Sequence, residues 1–211
     1  MKNATPTRSK EQSPSAEEPG SSMQSGKLLI FSGPSGAGKT TVLQELLKRS
    51  PRRLVMSVSA TTRPKRPGEQ DGVAYHFLTP EEFHRRRMRG DFLECFEVFG
   101  RGYWYGTPRR EVLRSLAAGE WIVLEIDVQG MQQVLAEFPE AVTFFVRPES
   151  LAELERRLRD RGTESEEAIQ RRLEVARHEW QFIRQYKFEI VNHTVDQAVD
   201  DICEILDQIG D

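Results

Sequence analysis

Phe31-Ser32-Gly33-Pro34-Ser35-Gly36-Ala37-Gly38-Lys39-Thr40 is the stretch that decides how this chain folds. It fits the spacing G-x-x-x-x-G-K-[ST], with Gly33 and Gly38 at the fixed glycine positions. The apolar run before it, Lys27 to Phe31, reads as a short buried strand. The run after it, Thr41 to Arg49, reads as a helix with Val42, Leu43, Leu46 and Leu47 on one face. A strand, a glycine loop and a helix in that order are the context a phosphate-binding loop needs. Glycines let the backbone wrap a polyphosphate with successive N–H groups pointing inward, and the helix N-terminus adds partial positive charge. Lys39 adds a full charge, and the Thr40 hydroxyl can ligate Mg²⁺. Gly33, Pro34, Ser35, Gly36, Ala37, Gly38, Lys39 and Thr40 therefore form the expected triphosphate site.

Composition bounds the rest. Of 211 residues, Met1 to Ser22 carries only Met1, Ala4 and Ala16 as apolar side chains, too few to offset the entropy of ordering. This segment reads as a disordered tail; it has no apolar core of a secretory signal, and its glutamates argue against a transit peptide. Residues 23–208 suffice for one compact domain. No run approaches 18 apolar residues, so no membrane span is expected. Cys95 and Cys203, far apart in apolar surroundings, read as buried free thiols of a reducing cytoplasm. The net charge of −3 carries no nucleic-acid signature; locally clustered arginines suit a small polyanion instead.

Beyond the loop, Arg53 to Ser59 reads as a second strand. Residues 60–107 then turn rich in Arg, Gly, Pro and aromatics, a small insertion of short strands and loops within a core of 26–59 and 108–208. Within it, Thr79-Pro80-Glu81-Glu82 caps a helix that stops at Gly90. Another helix starts at Thr107-Pro108, with Val112, Leu113 and Leu116 inward. Trp121 to Asp127 and Ala141 to Val146 read as central strands, with a short helix from Met131 to Glu137 between them. Ser150 opens a helix to Arg159, residues 161–165 break it, and a long polar helix runs to Gln185. Phe188 to Val191 is the last strand, and Thr194 caps a final helix that buries Val195, Ala198, Val199, Ile202, Ile205 and Leu206. Strands alternating with helices predict an α/β fold with a mostly parallel sheet covered on both faces. Ligands of such sheets bind beyond the strand C-termini, where the loop, Ser59, Asp127 and Asn192 all fall.

Several segments together resemble the guanylate kinases. They are Gly33 to Thr40, Ser57 to Arg63, Arg66-Pro67-Gly68-Glu69, Asp71-Gly72, Tyr75-His76-Phe77 and Phe92-Leu93-Glu94. Tyr105-Gly106-Thr107, Ile126 to Gly130, Arg161 to Glu164 and Ile190-Val191-Asn192 complete the set, in order over residues 27–208. The resemblance implies a P-loop core, a GMP-binding insertion at 60–107 and a helical lid at about 157–165, closing over ATP. It implies transfer of the γ-phosphoryl group of ATP to GMP, and to dGMP, with Mg²⁺, by a monomer or weak homodimer in the cytoplasm that binds neither nucleic acid nor membrane. Chemistry agrees with it. Guanine offers donors at N1 and the exocyclic amine, so a guanine site wants carboxylate acceptors. Glu94 and Asp127 can supply them, with Ser59 and Thr107 hydroxyls reading nearby edges; the competing reading is a salt bridge to one of the many arginines. Arg63, Arg66, Tyr75 and Tyr105 match phosphate-holding positions, where the arginine fork can bond two oxygens. Arg157 and Arg161 match lid arginines, and Arg172 a further phosphate contact. With Lys39 these would neutralise charge on the transferring oxygens. Arg156 and Arg159 read as exposed helix surface. Two readings fit Asn192: an adenine-edge contact, or a turn residue ahead of Thr194.

Three departures stand out. Ala60 replaces a polar residue usual in the family. Glu125 stands where Asp is common, at a position that serves Mg²⁺ or its waters. Residues 100–107 form a loop two residues longer than usual, leaving Tyr103 as a rival of Tyr105 and Arg101 as a loop residue or added phosphate contact. Rival functions are a non-catalytic peptide-binding relative, which would lack an intact loop, a kinase for another phosphorylated acceptor, and a GTPase. The last would carry Asn-Lys-x-Asp, and Asn192 opens Asn-His-Thr-Val instead.

Overall fold

The computed structural model describes residues 26–98, 102–160, 162 and 165–210. The expected tail, Arg101, Arg161 and Thr163 lie outside them. In chain order the elements are β1 (Lys27–Ser32), α1 (Lys39–Arg49), β2 (Leu54–Met56), β3 (Ala60–Thr61), β4 (His76–Phe77), α2 (Pro80–Met88), β5 (Phe92–Val98) and β6 (Tyr103–Pro108). They continue as α3 (Arg109–Ala117), β7 (Trp121–Glu125), α4 (Val128–Glu137), β8 (Val142–Arg147), α5 (Leu151–Asp160), α6 (Glu166–Trp180), β9 (Phe188–Val191) and α7 (Val195–Gln208).

β1 is the middle of a sheet ordered β2-β7-β1-β8-β9, and every neighbouring pair is parallel. Side chains alternate across a strand, so β1 feeds two cores. Leu29 and Phe31 join Val42, Leu46, Val146 and Ile202 under α1 and α7. Leu28 and Ile30 join Ile122, Leu124, Met131 and Phe145 on the other face. That double burial is why the strand reads as a continuous apolar run rather than an alternating one. Phe31 stacks on Phe144 at 4.5 Å between ring centroids. The insertion builds its own sheet, β4-β3-β6-β5, around Ala60, Phe83 and Phe92. The Thr79 hydroxyl caps α2 by accepting from the Glu82 N–H at 3.2 Å.

Several expectations need correcting. The second strand spans only Leu54–Met56, the part that pairs with β7. Leu47 is 39% exposed and Leu113 43% exposed, because the buried stripes of α1 and α3 are filled by Val42, Leu43 and Leu46 and by Val112 and Ser115. α4 begins at Val128, not Met131, because Asp127 caps it: its Oδ1 accepts from the Gly130 N–H at 2.7 Å. α6 ends at Trp180, and a 3₁₀ turn at Ile183–Gln185 leads into β9. Cys95 and Cys203 are free thiols but only half-buried. Among the described residues no helix is long and apolar enough to cross a membrane.

Candidate active site

Because the five strands run parallel, the segments after β1, β2, β7 and β9 emerge on one edge, and the insertion faces them. A cleft of about 740 Å³ lies there, lined by Gly33, Lys39, Thr40, Ser59, Tyr75, Tyr105, Glu125 and Asp127 among others. A separate hollow of about 870 Å³ between α2 and α3 is walled by arginines and holds none of these groups.

The loop requires its glycines at two places. Gly33 has φ 136°, and a Cβ there would sit 1.9 Å from the Val146 carbonyl oxygen. Gly38 has φ 88°, and its Cβ would sit 2.5 Å from Nδ2 of Asn192. Both positions are closed to L side chains. Lys39 Nζ donates to the carbonyls of Gly33 at 2.6 Å and Pro34 at 3.2 Å, so the ammonium is held inside its own loop. Burial lowers the Lys39 pKa; the carboxylates of Glu125, Glu179 and Asp127 oppose that shift. The Thr40 hydroxyl donates to Glu125 Oε1 at 3.0 Å.

Asn192 is 3% exposed, and its Nδ2 donates to the Ala37 carbonyl at 2.8 Å. Asn192 lies in the turn between β9 and the Thr194 cap, and from there its side chain also fastens the loop. Arg157 donates to the Asn192 carbonyl at 2.9 Å and to Glu153 Oε1 at 2.7 Å, holding the loop's rear wall. Arg172 Nη2 donates to Ser35 Oγ at 2.6 Å. Arg156 pairs with Glu153 and Asp160, and Arg159 with Glu155 and Glu166, on helix surfaces as expected.

On the facing side, Glu94 is 2% exposed on β5. Its Oε1 accepts from the Thr107 hydroxyl at 2.5 Å, while Oε2 is buried without a partner. Burial pushes its carboxyl up to about 7, against the pull of the Thr107 hydroxyl. Asp127 is also raised by burial, with the Gly130 and Gln129 N–H groups opposing. Neither acid has an arginine partner among the described residues, which removes the salt-bridge reading there. Both acids converge on Gly130: a Cβ on that residue would lie 3.0 Å from Glu94 Oε2 and 3.4 Å from Asp127 Oδ1.

Arg63 is 8% exposed, and its Nε donates to the Tyr105 hydroxyl at 3.2 Å. Its guanidinium lies 5.4 Å from the Tyr75 ring centroid, and Tyr75 meets Tyr105 edge-on at 5.7 Å. Tyr105, not Tyr103, therefore joins this cluster. Arg66 differs: its side chain is exposed, and its backbone is what is engaged, the N–H donating to Glu69 Oε2 at 2.7 Å and the carbonyl accepting from the Glu69 N–H at 3.2 Å.

The model of the guanylate kinase family matches residues 25–209. The guanylate kinase of Rhodopirellula baltica is 53% identical over 194 residues, covering 92% of this chain and 93% of that protein. That of Thermobifida fusca is 47% identical over 180 residues, covering 85% and 90%. The crystal structure of guanylate kinase from Anaplasma phagocytophilum superposes with a TM-score of 0.72 at 34% identity, covering 89% of this chain and 87% of that one.

The chain belongs to the guanylate kinase family.

Two groups of this guanylate-kinase site escape sequence reasoning. Glu69 accepts from Arg63 Nη2 at 2.8 Å and Nη1 at 3.1 Å, fixing the fork from behind. Its neighbours Arg66-Pro67-Gly68 were the available signal. Glu179, on a helix that reads only as long and polar, lines the cleft. Nothing in the local sequence separates it from the exposed glutamates around it.

Proposed function

We propose a division of labour for the family's reaction, ATP-dependent phosphorylation of GMP, among the residues that line this cleft and those packed around it. The loop Gly33 to Thr40 takes the ATP phosphates, and Lys39 leaves its carbonyl cradle to follow the transferred group. Arg172 beside Ser35, with the lid arginine Arg157, adds positive charge as the lid closes. Arg161 belongs to the same proposal and lies outside the described residues. Thr40 and Glu125 offer a hydroxyl and a carboxylate, oxygen donors that suit a hard cation. Thr40 would hold Mg²⁺, with Glu125 reached through a water, and the ion would neutralise charge on the phosphate oxygens.

Glu94 and Asp127 accept from guanine, Ser59 and Thr107 support the base, and Arg63, Arg66, Tyr75 and Tyr105 hold the GMP phosphate. The observation that carries this reading is the buried, partnerless Oε2 of Glu94, beside Asp127 at Gly130. GMP or dGMP would satisfy it with a ring N–H. Adenine has no N1 proton, so AMP would leave the carboxylate unpaired in the interior. The GMP phosphate is itself the nucleophile, so no protein nucleophile is required. Such an enzyme works where ATP and GMP are made, and a cytoplasmic monomer or weak homodimer is the form proposed.

The test is coupled ADP release with ATP and GMP, AMP, UMP or no acceptor. GMP-dependent turnover with at least hundredfold preference over AMP is expected, on the order of the discrimination an unpaired buried polar group gives. Equal use of AMP would refute the guanine-reading role.

A further inference from the structure

Glu179 occupies a position that the reaction as assigned above leaves unused. It sits in the last turn of α6 (Glu166–Trp180), seven residues after Arg172 and so on the same face of that helix. Arg172 reaches the loop at Ser35, and Glu179 lines the same cleft as Gly33, Lys39 and Asp127. Its Oε2 is buried and has no hydrogen-bond partner. Three carboxylates support the charge of Lys39: those of Glu125, Glu179 and Asp127. Two have found donors, since Glu125 Oε1 takes the Thr40 hydroxyl and Asp127 Oδ1 takes the Gly130 N–H. Glu179 keeps a buried oxygen with none.

A lysine ammonium has three N–H donors. Two go to the Gly33 and Pro34 carbonyls. When the ammonium turns to phosphate oxygens it gives up those carbonyls, and its orientation then depends on what holds the remaining donor. A buried carboxylate oxygen is costly to leave unpaired, so a matching donor is strongly favoured there.

We infer that Glu179 is a positioning residue of the phosphoryl transfer: it accepts one N–H of Lys39 once that side chain has turned to the ATP phosphates, and ties the aim of the lysine to helix α6. Burial pushes the Glu179 carboxyl up to about 7, and Lys39 is the neighbour that pulls it down, as a pair sharing one site would. Asp127 and Tyr186 also face this carboxylate and oppose its charge or are themselves shifted by it, which makes Lys39 the only favourable charge among them. The inference rests on Lys39 serving the transferred group.

Steady-state kinetics of Glu179→Ala and Glu179→Gln, with GMP binding by calorimetry and a melting curve for each variant, test it. For Glu179→Ala, kcat is expected to fall about 10- to 100-fold, the loss that follows when a hydrogen bond to a charged group is removed. The Kd for GMP is expected to stay within about threefold, since Glu179 touches the donor side. Glu179→Gln keeps an acceptor of the same shape without the charge and is expected to recover part of that kcat; it also decides the matter if the alanine variant fails to fold. A kcat within about twofold of wild type in both variants overturns the inference, as does a loss confined to GMP affinity. Lys39→Ala separates the two layers. If that variant turns over normally, the role given to Lys39 falls; if it is inactive while the Glu179 variants are normal, only the present inference falls.

Discussion

Glu94 makes a prediction that acceptor preference alone does not. Its carboxyl is pushed up to about 7 by burial, and its Oε2 waits without a donor. A ring N–H of guanine bonds the ionised form, so GMP must bind the deprotonated protein and hold it there. With a pKa near 7 the ionised fraction falls from about nine-tenths at pH 8 to about one-tenth at pH 6, so GMP affinity is expected to fall about tenfold, or ~1.4 kcal/mol. At pH 7 each GMP bound should release about half a proton to the buffer. The assay is calorimetry at pH 6, 7 and 8, repeated at pH 7 in buffers of different ionisation enthalpy. The GMP phosphate itself titrates near pH ~6, which adds about twofold. Glu94→Gln removes the carboxyl and keeps the phosphate, so only that twofold should remain in the variant. The linkage has a matching sign in the free enzyme. A folded-state pKa raised above the usual carboxylate value gives stability that is present below about pH 4.5 and lost as pH rises through about 7. Bound GMP should cancel that loss. A GMP Kd unchanged between pH 8 and 6, with no proton released, would show that the Glu94 carboxyl does not meet the base.

Three further outcomes can be checked with the same tools. Lys39→Ala is expected to abolish turnover while leaving GMP binding within about twofold, since the ammonium is held by the donor-side loop; a parallel loss of GMP affinity in calorimetry would merge two sites kept separate here. Glu69→Ala should raise the KM for GMP about tenfold, because Arg63 loses its two bonds to that carboxylate and keeps only those to Tyr105 and the Pro64 carbonyl; a lower KM would mean that Glu69 competes with the phosphate instead. Gly130→Ala places a methyl 3.0 Å from Glu94 Oε2 and should weaken GMP binding about tenfold by shifting that carboxylate. Its melting temperature should hold, because Ala gains up to ~1 kcal/mol over Gly within a helix.

The parts of the fold legible in the sequence are those set by neighbours in the chain. The glycine loop lies between its strand and helix as expected, and the Thr79, Ser150 and Thr194 hydroxyls each accept from an N–H three residues on. What local patterning misjudges is set by contacts from elsewhere. β2 stops where β7 stops pairing with it, and α6 yields to a turn before β9. Leu47 and Leu113 look inward on helical spacing, yet three other α1 residues and the start of α3 already fill the available surface.

The site divides along the same line. A motif can be matched residue by residue, so Lys39, Arg63, Glu94 and Tyr105 can be nominated before any coordinates. A carboxylate's task depends on what faces it, and the sequence does not say that. Glu69 and Glu82 both bind arginine forks, one behind a buried Arg63 and one on the outside of α2. Only burial separates a site residue from a surface pair worth a few tenths of a kcal/mol (about 0.5). Asn192 makes the point from the loop side. The chain offers it an adenine edge or a turn; the fold places it in that turn and adds a bond to the Ala37 carbonyl. Gly38 has to be glycine partly because Asn192 Nδ2 lies where its Cβ would go, so the loop's second glycine and the last strand's asparagine are one fitted unit. The spacing that identifies the loop therefore reports half of the contact; the other half comes from one edge of the sheet, through the strand order that brings β9 beside β8 and β8 beside β1.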